Sequence, residues 1–417
     1  MSRVLRLGVA AVAGLVFGAG AMLIVQGSRG LAGDDTTSSP PASTGPAPVN
    51  VTATTSAAGT PTTASPTPPT SDAVPPAVLA WTPGGLPAGF AEAVAFSPGL
   101  AALTVVHGDP LTLTASLDAS GQATGSNPPP GMVVDLDVIA VDPSTFAGFA
   151  ARADRAAIHA LAPGQGLLGD TSAALRDVGP GDQLVLGGGA RVTVAGVVDD
   201  SSVGAAELVV DTGTGTAIGV TTPRYLLAEP AGSSADTVAA VHEAADPTLT
   251  LRVRARGETP YLRSSDAVLP QSRLKAVFGE FARDPRANGD DLRLDPAWVR
   301  DNIVEAEVPI LGEVRCHRSL IPALGGALQE LADRNLGGLV QTYDGCHNAR
   351  RVRSGDTVSR HAWGAAVDLN FTGNATGVAS IQDPRLVEVM ARWGFGSGDG
   401  WLVPDPGHFE YVGPPRP

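Results

Sequence analysis

The first 73 residues contain one apolar run followed by almost no clustering of apolar positions. The run covers residues 7–25 without a charge. As a helix it would be about 28 Å long, close to the hydrocarbon thickness of a membrane. Arg3 and Arg6 precede it, which favours a cytoplasmic amino terminus. We therefore predict a signal anchor over residues 1–33, with a signal peptide cleaved after residue 32 as the alternative. Both interpretations export the rest of the chain.

Residues 34–76 are a low-complexity stretch of threonine, serine, proline, alanine and glycine. Such a sequence cannot bury enough apolar area to offset the entropy lost on ordering it. We predict a flexible, partly polyproline spacer. A tether of this kind suits a protein that reaches from a membrane into the cell wall.

Short β-branched runs bounded by glycine, aspartate and proline fill residues 77–262. Residues 132–141 and 191–198 are examples, and such runs are typical of strands. Two helical segments interrupt them, near residues 143–159 and 234–245. The pattern predicts a β-rich α+β domain with a mainly antiparallel sheet.

Helical spacing of apolar residues dominates positions 271–417, where we expect the last domain. Asp295 and Asp383 each precede a proline, the arrangement of an N-cap and a first helical residue, and Ser319 could cap a further helix. The predicted elements are helices over residues 273–283, from 296, over 320–335 and from 384, and a strand over 365–371. The expected fold is again α+β, a small antiparallel sheet packed by helices.

The charge balance narrows the class of partner. The chain has 42 acidic and 28 basic residues and a formal net charge of −14, and its one lysine is Lys275. No basic stripe is present that could neutralise phosphates, which excludes a nucleic-acid partner.

Cys316 and Cys346 are the two cysteines of the chain. In an exported protein such a pair predicts a disulfide. Closing the loop between them would contribute about 3 to 4 kcal/mol in the chain-entropy description. A reactive thiol and a metal pair are the alternatives, and neither has a supporting motif.

Histidine and carboxylate side chains gather in two short segments near the carboxyl terminus. His361 comes just before the predicted strand, Asp368 lies on it, and His408 belongs to the second segment. Two imidazoles and one carboxylate are a standard ligand set for catalytic zinc, with the fourth position open to water. Alternatively, both histidines are ordinary structural residues and Asp368 caps a turn.

A family resemblance favours the first interpretation. Ser-x-His-x-x-Gly-x-Ala-x-Asp at residues 359–368 and Asp-x-x-His at 405–408 resemble the zinc D-alanyl-D-alanine carboxypeptidase and dipeptidase family, of the VanY and VanX kind. The L-alanyl-D-glutamate endopeptidases of phages and bacteria are similar. The resemblance runs from about residue 295 to 412. It implies one Zn²⁺ per domain with His361, Asp368 and His408 as its ligands.

The same resemblance implies the residues that act on the substrate. Asp405 corresponds to the catalytic base, and Glu410 is expected to orient a ligand rather than replace it. An arginine that stabilises the developing oxyanion corresponds to Arg350 or, as second choice, Arg353. Arg353 and Ser359 are the predicted substrate-binding residues.

The middle of the chain has a looser resemblance. Leu168-Gly-Asp-Thr-Ser and Val178-Gly-Pro-Gly-Asp, within residues 166–211, resemble the extracytoplasmic domains of bacterial ABC-transporter permeases. This implies a binding or spacing module without chemistry of its own. Its partner, for example another membrane protein, stays open.

We therefore expect a single-pass membrane protein with its domains on the extracytoplasmic, cell-wall side, or a secreted protein if the leader is cleaved. The expected activity is zinc-dependent hydrolysis of peptidoglycan stem peptides, foremost the removal of terminal D-alanine. An endopeptidase with the same metal site is the nearest alternative. A non-catalytic protein that binds or scaffolds the cell wall is the third.

Overall fold

The structure, a computed structural model, describes residues 74–125, 127–287, 289–352 and 357–416. The predicted anchor at 1–33 and nearly all of the predicted spacer at 34–76 lie outside these residues. None of the helices within them is long and apolar enough to cross a membrane. The described part of the chain mixes helices and strands, as the sequence predicts. We call residues 74–262 the sheet region and residues 271–416 the C-terminal region.

Nine strands of the sheet region form one sheet in the order β3-β7-β4-β6-β5-β2-β8-β1-β9. Most pairings are antiparallel, and β3 with β7 and β4 with β6 are parallel. The strands are β1 Val78–Trp81, β2 Leu100–Leu117, β3 Val134–Val141, β4 Gln165–Gly169, β5 Gln183–Leu186, β6 Arg191–Val198, β7 Leu208–Asp211, β8 Pro223–Pro230 and β9 Arg252–Ala255.

The long strand β2 closes part of this sheet into a ring. Its residues 107–113 pair with β3, although β3 stands at the far end of the strand order. Residues 113–117 pair with β5, and residues 100–107 pair with β8. Six strands therefore enclose a buried core that includes Leu136 and Leu208. Strands β8, β1 and β9 extend the sheet beyond the ring.

Six short helices accompany the sheet. The predicted helical segment at 143–159 is divided into two helices, and the one at 234–245 is a single helix opened by a serine cap. The helices are α1 Phe90–Ala95, α2 Pro143–Phe146, α3 Arg155–His159, α4 Asp170–Arg176, α5 Thr212–Ile218 and α6 Ser234–Ala244.

The C-terminal region has a hairpin, a four-stranded sheet in the order β12-β13-β15-β14, and four helices. One apolar core joins them, with Leu324, Trp363 and Met390 among its buried residues. The elements are α7 Gln271–Phe278, α8 Pro296–Asn302, β10 Ile303–Val308, β11 Gly312–His317, α9 Ile321–Asp333, β12 Tyr343–Gly345, β13 Ala366–Leu369, α10 Pro384–Arg392, β14 Phe395–Gly398 and β15 Asp405–Tyr411.

The helix starts show how local chemistry sets the boundaries. Asp295 accepts a hydrogen bond from the Ala297 backbone N–H and Asp383 accepts one from that of Arg385, so both predicted Asp-Pro starts are confirmed. The predicted cap at Ser319 is wrong. Helix α9 begins after Leu320 without a side-chain cap, and the Ser319 backbone N–H donates to Nδ1 of His317.

Helix α7 ends earlier than the apolar stripe over residues 273–283 predicts. Gly279 follows Phe278 with φ +83°, a backbone conformation that ends the helix and that few side chains tolerate. The chain then continues without helical structure, and Phe281 still reaches the core. Leu274, Phe278 and Phe281 of the stripe are buried, whereas Val277 is exposed, and the backbone between them is not helical throughout.

The predicted disulfide between Cys316 and Cys346 is present. It joins the end of β11 to the loop that follows β12, across a sequence separation of 30 residues. Both cysteines belong to the core of the C-terminal region. The bond therefore fixes the loop that precedes the first of the two chemical motifs.

Candidate metal centre

A short 3-10 helix, Arg360–Trp363, positions His361. Ser359 caps it, its hydroxyl accepting from the His361 backbone N–H at 3.3 Å. Gly364 ends it with φ +63°, and a Cβ at Gly364 would lie 2.6 Å from the His317 backbone nitrogen. Only glycine fits this turn, because both the dihedral angle and the close backbone demand it. The turn directs the chain from His361 into β13.

The other two predicted ligands face each other across a strand pair. Asp368 lies on β13 and His408 on β15, and they are partners in the antiparallel register. Side chains of such partners project from the same face of a sheet. His361 completes the group from the adjoining turn.

Three atoms form a triangle with equal edges. Nε2 of His361, Oδ1 of Asp368 and Nδ1 of His408 each lie 3.1 Å from the other two. Tetrahedral ligands at about 2.0 to 2.2 Å from zinc would lie about 3.3 to 3.6 Å apart. The triangle is therefore close to the size that one ion requires, and within the described residues these three form the group that could hold it.

The second nitrogen of each ring is held by a group behind the triangle. Nδ1 of His361 donates to the Cys346 carbonyl at 2.7 Å, which leaves the lone pair of Nε2 for a metal. Nε2 of His408 lies 3.6 Å from a carboxylate oxygen of Glu410. Both contacts orient a ring toward the metal position.

Glu410 is buried and has further partners. The Val268 backbone N–H donates to it at 3.0 Å, and Nε of Arg360 lies 3.8 Å from it. Burial raises the pKa of Glu410, but His408 and Arg360 outweigh burial and lower it. A charged carboxylate behind His408 is the arrangement expected of a residue that orients a ligand.

The charges within the triangle compete with desolvation. Burial disfavours the ionised form of Asp368, but hydrogen bonds with both histidines outweigh it and hold the pKa well below its usual range. Burial also lowers the pKa of His408, yet contacts with Asp368 and Glu410 raise it to about 9. A metal ion therefore competes with a proton at Nδ1 of His408.

Asp405 lies at the start of β15, three residues before His408. Burial raises the pKa of its carboxyl, while the positive field of His408 and a hydrogen bond from Thr376 at 3.0 Å lower it less. Asp405 is not one of the three atoms of the triangle. Its carboxyl interacts electrostatically with all three residues of the triangle, and its pKa is raised.

The structure does not test the predicted roles of the arginines. Nη1 of Arg350 donates to the Arg351 carbonyl at 3.3 Å, and the Arg350 carbonyl accepts from the Ser359 backbone N–H at 3.0 Å. Arg353 lies outside the described residues. Ser359 has a contact that positions His361. The roles of Arg350, Arg353 and Ser359 toward substrate stay predictions.

Sequence reasoning missed one aromatic residue beside the site. The Trp401 ring lies 5.2 Å from the His408 ring, centroid to centroid. Its loop, residues 399–404, is held by the Leu402 backbone N–H, which donates to Asp266 at 2.6 Å, and by Arg252, which donates to the Gly400 carbonyl at 2.8 Å. The sequence signal that could have indicated this residue is a tryptophan placed among glycines and aspartates just before the second motif.

The sequence model of a family described as D-alanyl-D-alanine carboxypeptidase matches residues 353–411. The match contains all three atoms of the triangle and Asp405, and it confirms the resemblance of the C-terminal region. At the level of the family, this region is peptidase-like. No curated protein matches the chain.

Two solved structures are similar to parts of the chain. The periplasmic region of MacB from Actinobacillus actinomycetemcomitans is 10% identical, with 43% of this chain and 87% of that chain covered and a TM-score of 0.28. The extracellular domain of the noncanonic ABC-type transporter YknZ from Gram-positive bacteria is 14% identical, with coverages of 41% and 90% and a TM-score of 0.28. Both belong to the class of domain that the middle region resembles, and at this TM-score the likeness carries no argument.

Proposed function

We propose that the protein is a zinc-dependent peptidase that removes terminal D-alanine from peptidoglycan stem peptides. The observation that carries the proposal is the triangle of His361, Asp368 and His408, which falls inside the segment that matches the carboxypeptidase family. Its size and its donor set, two imidazoles and one carboxylate, fit a catalytic zinc site with an open fourth position. The proposed location is the extracytoplasmic side of a membrane, with the spacer as tether.

Zinc would supply Lewis acidity and lower the pKa of a water molecule toward neutrality. Asp405 accepts the proton of the attacking water and passes it to the leaving amine. The raised pKa of Asp405 suits a group that must both take and release a proton. Cys346 and Glu410 hold the two imidazole rings in orientation throughout. Arg350 remains our choice for the residue that stabilises the oxyanion.

No acyl-enzyme is part of this mechanism. Both cysteines are joined in the disulfide, so neither thiol is available as a nucleophile. An attacking water needs only a base and an electrophilic centre. An endopeptidase that cuts inside the stem or crosslink would use the same residues, and only its peptide-binding surface would differ.

The test uses the full-length protein loaded with zinc and muropeptides ending in D-Ala-D-Ala. Products are read by mass spectrometry, with and without a chelator. Loss of one alanine that stops on chelation is the expected result. Cleavage at an internal bond would retain the metal chemistry and change the proposal to an endopeptidase. Zinc binding with no cleavage of any muropeptide would favour the binding or scaffold protein.

The base has its own test. Asp405→Asn should bind one zinc per chain and lose at least a hundredfold in kcat, because general base catalysis contributes about 10² to 10⁴. Thr376→Val serves as the matched control, since it removes the hydrogen bond to Asp405 and keeps the carboxylate. Full turnover by Asp405→Asn would assign the base to another residue.

A further inference from the structure

A cavity of about 150 Å³ lies between the sheet region and the C-terminal region. Sheet residues form one side and the turn that carries His361 contributes Arg360 to the other. A water molecule occupies about 30 Å³ of liquid, so the cavity has room for about five waters or for one small organic molecule. Boundaries between packed units are preferred places for ligand sites.

Two charged side chains of opposite sign line this cavity without pairing with each other, Asp137 of β3 and Arg263. Asp109 and Arg224 of the same lining pair at 3.1 Å, and Arg360 lies 3.8 Å from Glu410. Within the described residues no ion pair shorter than 4.0 Å includes Asp137 or Arg263, although each influences the pKa of the other. Opposite charges that share a cavity and do not touch leave space for something polar between them.

Asp137 and Arg263 also lack hydrogen-bond partners for their charged groups. In the described part of the chain no donor reaches the Asp137 carboxylate, and burial raises its pKa. Arg263 donates from Nη1 to two backbone carbonyls at 3.3 Å, while its other donors have no described acceptor. Asp135, on the same wall, differs because Arg283 pairs with it through two contacts of 2.6 Å.

Asp137 and Arg263 are each partly buried, and withdrawing a charge from water without giving it a partner is costly. The sign of each charge limits what could satisfy it. An anion alone would pair with Arg263 and repel Asp137. A cation alone would do the reverse. A molecule that carries one ammonium and one carboxylate satisfies both sides and adds no net charge.

The remaining walls set the size of the ligand. Ile139, Val203 and Ala206 contribute apolar surface, and the Tyr225 ring is nearly fully buried against it. Thr357 is exposed and Arg224 partly so, which opens the cavity to solvent at one end. A small apolar side chain fits such a lining, whereas a long or charged one does not.

We infer that this cavity binds a free amino acid with a small side chain, its ammonium group on Asp137 and its carboxylate on Arg263 and Arg360. The choice of alanine among such ligands rests on the proposed function, whose product it would be. The binding itself rests on the cavity and its charges alone.

Isothermal titration calorimetry on the full-length, metal-free protein tests this inference without any turnover. D-Alanine should bind at one saturable site per chain. Propionate and ethylamine, which carry one charge each, should bind at least tenfold more weakly. No saturable heat with D-alanine, L-alanine or glycine would mean that the cavity holds only water and would overturn the inference. Propionate binding as tightly as alanine would overturn the zwitterion in favour of a simple anion.

Variants locate the site. Asp137→Asn and Arg263→Gln should each weaken alanine binding at least tenfold, and Arg385→Gln, the same loss of charge on an exposed residue of α10, should not. His361→Ala should bind alanine normally, because the ligand does not occupy the metal centre. If instead His361→Ala abolishes binding while Arg263→Gln leaves it unchanged, alanine binds at the metal centre and the inference fails.

The two proposals fail separately. A protein that binds alanine in this cavity and cleaves no muropeptide retains the binding site and refutes the peptidase. A protein that trims muropeptides and binds no amino acid in its metal-free form retains the peptidase and refutes the site.

Discussion

The protein buries two clusters of charged side chains, and they differ in the balance of donors and acceptors. Around Glu207, Arg176 lies 2.7 Å from one carboxylate oxygen and Lys275 lies 2.8 Å from the same oxygen. Gln271 donates to the other oxygen at 2.9 Å. Every acceptor there has donors from the protein itself. At the metal centre, three atoms able to accept converge on one point.

This difference separates a structural cluster from a candidate functional one. The Glu207 cluster joins the sheet region to helix α7, which carries Gln271 and the chain's one lysine. Glu280 lies 2.6 Å from Arg176 and 2.9 Å from Lys275, so the cluster contains two positive and two negative side chains and its charges cancel internally. The triangle of His361, Asp368 and His408 can be satisfied by protons or by a cation. Burial alone does not distinguish the two clusters, whereas the count of donors against acceptors does.

The largest effect is expected from a substitution that removes one residue of the triangle. His361→Ala removes one of three ligands, and we expect loss of stoichiometric zinc and of all muropeptide cleavage, because structural and catalytic zinc sites need their full protein ligand set. His159→Ala, a histidine at the end of α3, is the control and should keep both. Metal analysis and the cleavage assay measure the pair. A His361→Ala protein that still carries one zinc per chain would contradict this ligand set.

The next largest effect is expected from a substitution in the Glu207 cluster. Glu207→Leu removes the fully buried one of the two carboxylates that Arg176 and Lys275 share and leaves only Glu280, and we expect a loss of about 3 to 5 kcal/mol in the free energy of unfolding. Urea denaturation measures it. Glu330→Gln, which removes a partly exposed carboxylate that also contacts two arginines, should cost about 1 kcal/mol or less. Equal losses from both variants would remove the distinction between the clusters.

A smaller effect is the loss of unfolding free energy at low pH that comes from protonation of Glu207. Burial works against the charge of Glu207, but Lys275 and Arg176 lower its pKa to about 2. A lowered carboxyl pKa contributes stability that is present above about pH 4.5 and is lost as the pH falls toward 2. The shift corresponds to about 3 kcal/mol. Unfolding free energies of the native protein and Glu207→Gln should therefore converge as the pH is lowered, and parallel pH profiles would contradict the assignment.

The smallest effect reaches the metal centre from Asp266, in the segment between the sheet region and the C-terminal region. Asp266→Asn weakens the hold on the loop that carries Trp401, and a lost charge-assisted bond of about 1 kcal/mol predicts a roughly fivefold lower kcat/KM. The zinc content should not change. Asp266 also pairs with Arg254, and Asp109→Asn, which alters the ion pair of Asp109 with Arg224, is the control. Unchanged kcat/KM in Asp266→Asn would mean that the loop holds its place without this contact.

Two helix starts, one strand and the three metal ligands could be predicted because each depends on residues close together in the sequence. Asp295 and Asp383 cap their helices because an aspartate before a proline satisfies the first backbone N–H groups within three residues. The strand that holds Asp368 follows from alternation over a few positions. The ligand triad could be named because its motif is short and its residue types are those that zinc prefers.

The features that sequence reasoning missed depend on residues far apart in the chain. Leu402 and Asp266 are separated by 136 positions, and nothing near either residue marks the contact. The early end of α7 depends on Gly279, where a Cβ would lie 3.1 Å from the Trp298 ring nitrogen. At the start of α9, the Ser319 backbone N–H donates to the neighbouring His317, whose ring is itself held by the Phe278 carbonyl, 39 positions away. Contacts of this kind depend on the folded chain and not on the local sequence.

The disulfide has a consequence for how the protein matures. The carbonyl that accepts the hydrogen bond from Nδ1 of His361 belongs to Cys346. Cys346 is joined by the disulfide to Cys316 at the end of β11. Reduction would leave all three ligands in the sequence and release the backbone that fixes the tautomer of one of them. We therefore expect the oxidised protein to bind the metal more tightly than the reduced protein. Protein made in a reducing cytoplasm would contain all three ligand residues but would lack the disulfide between Cys316 and Cys346.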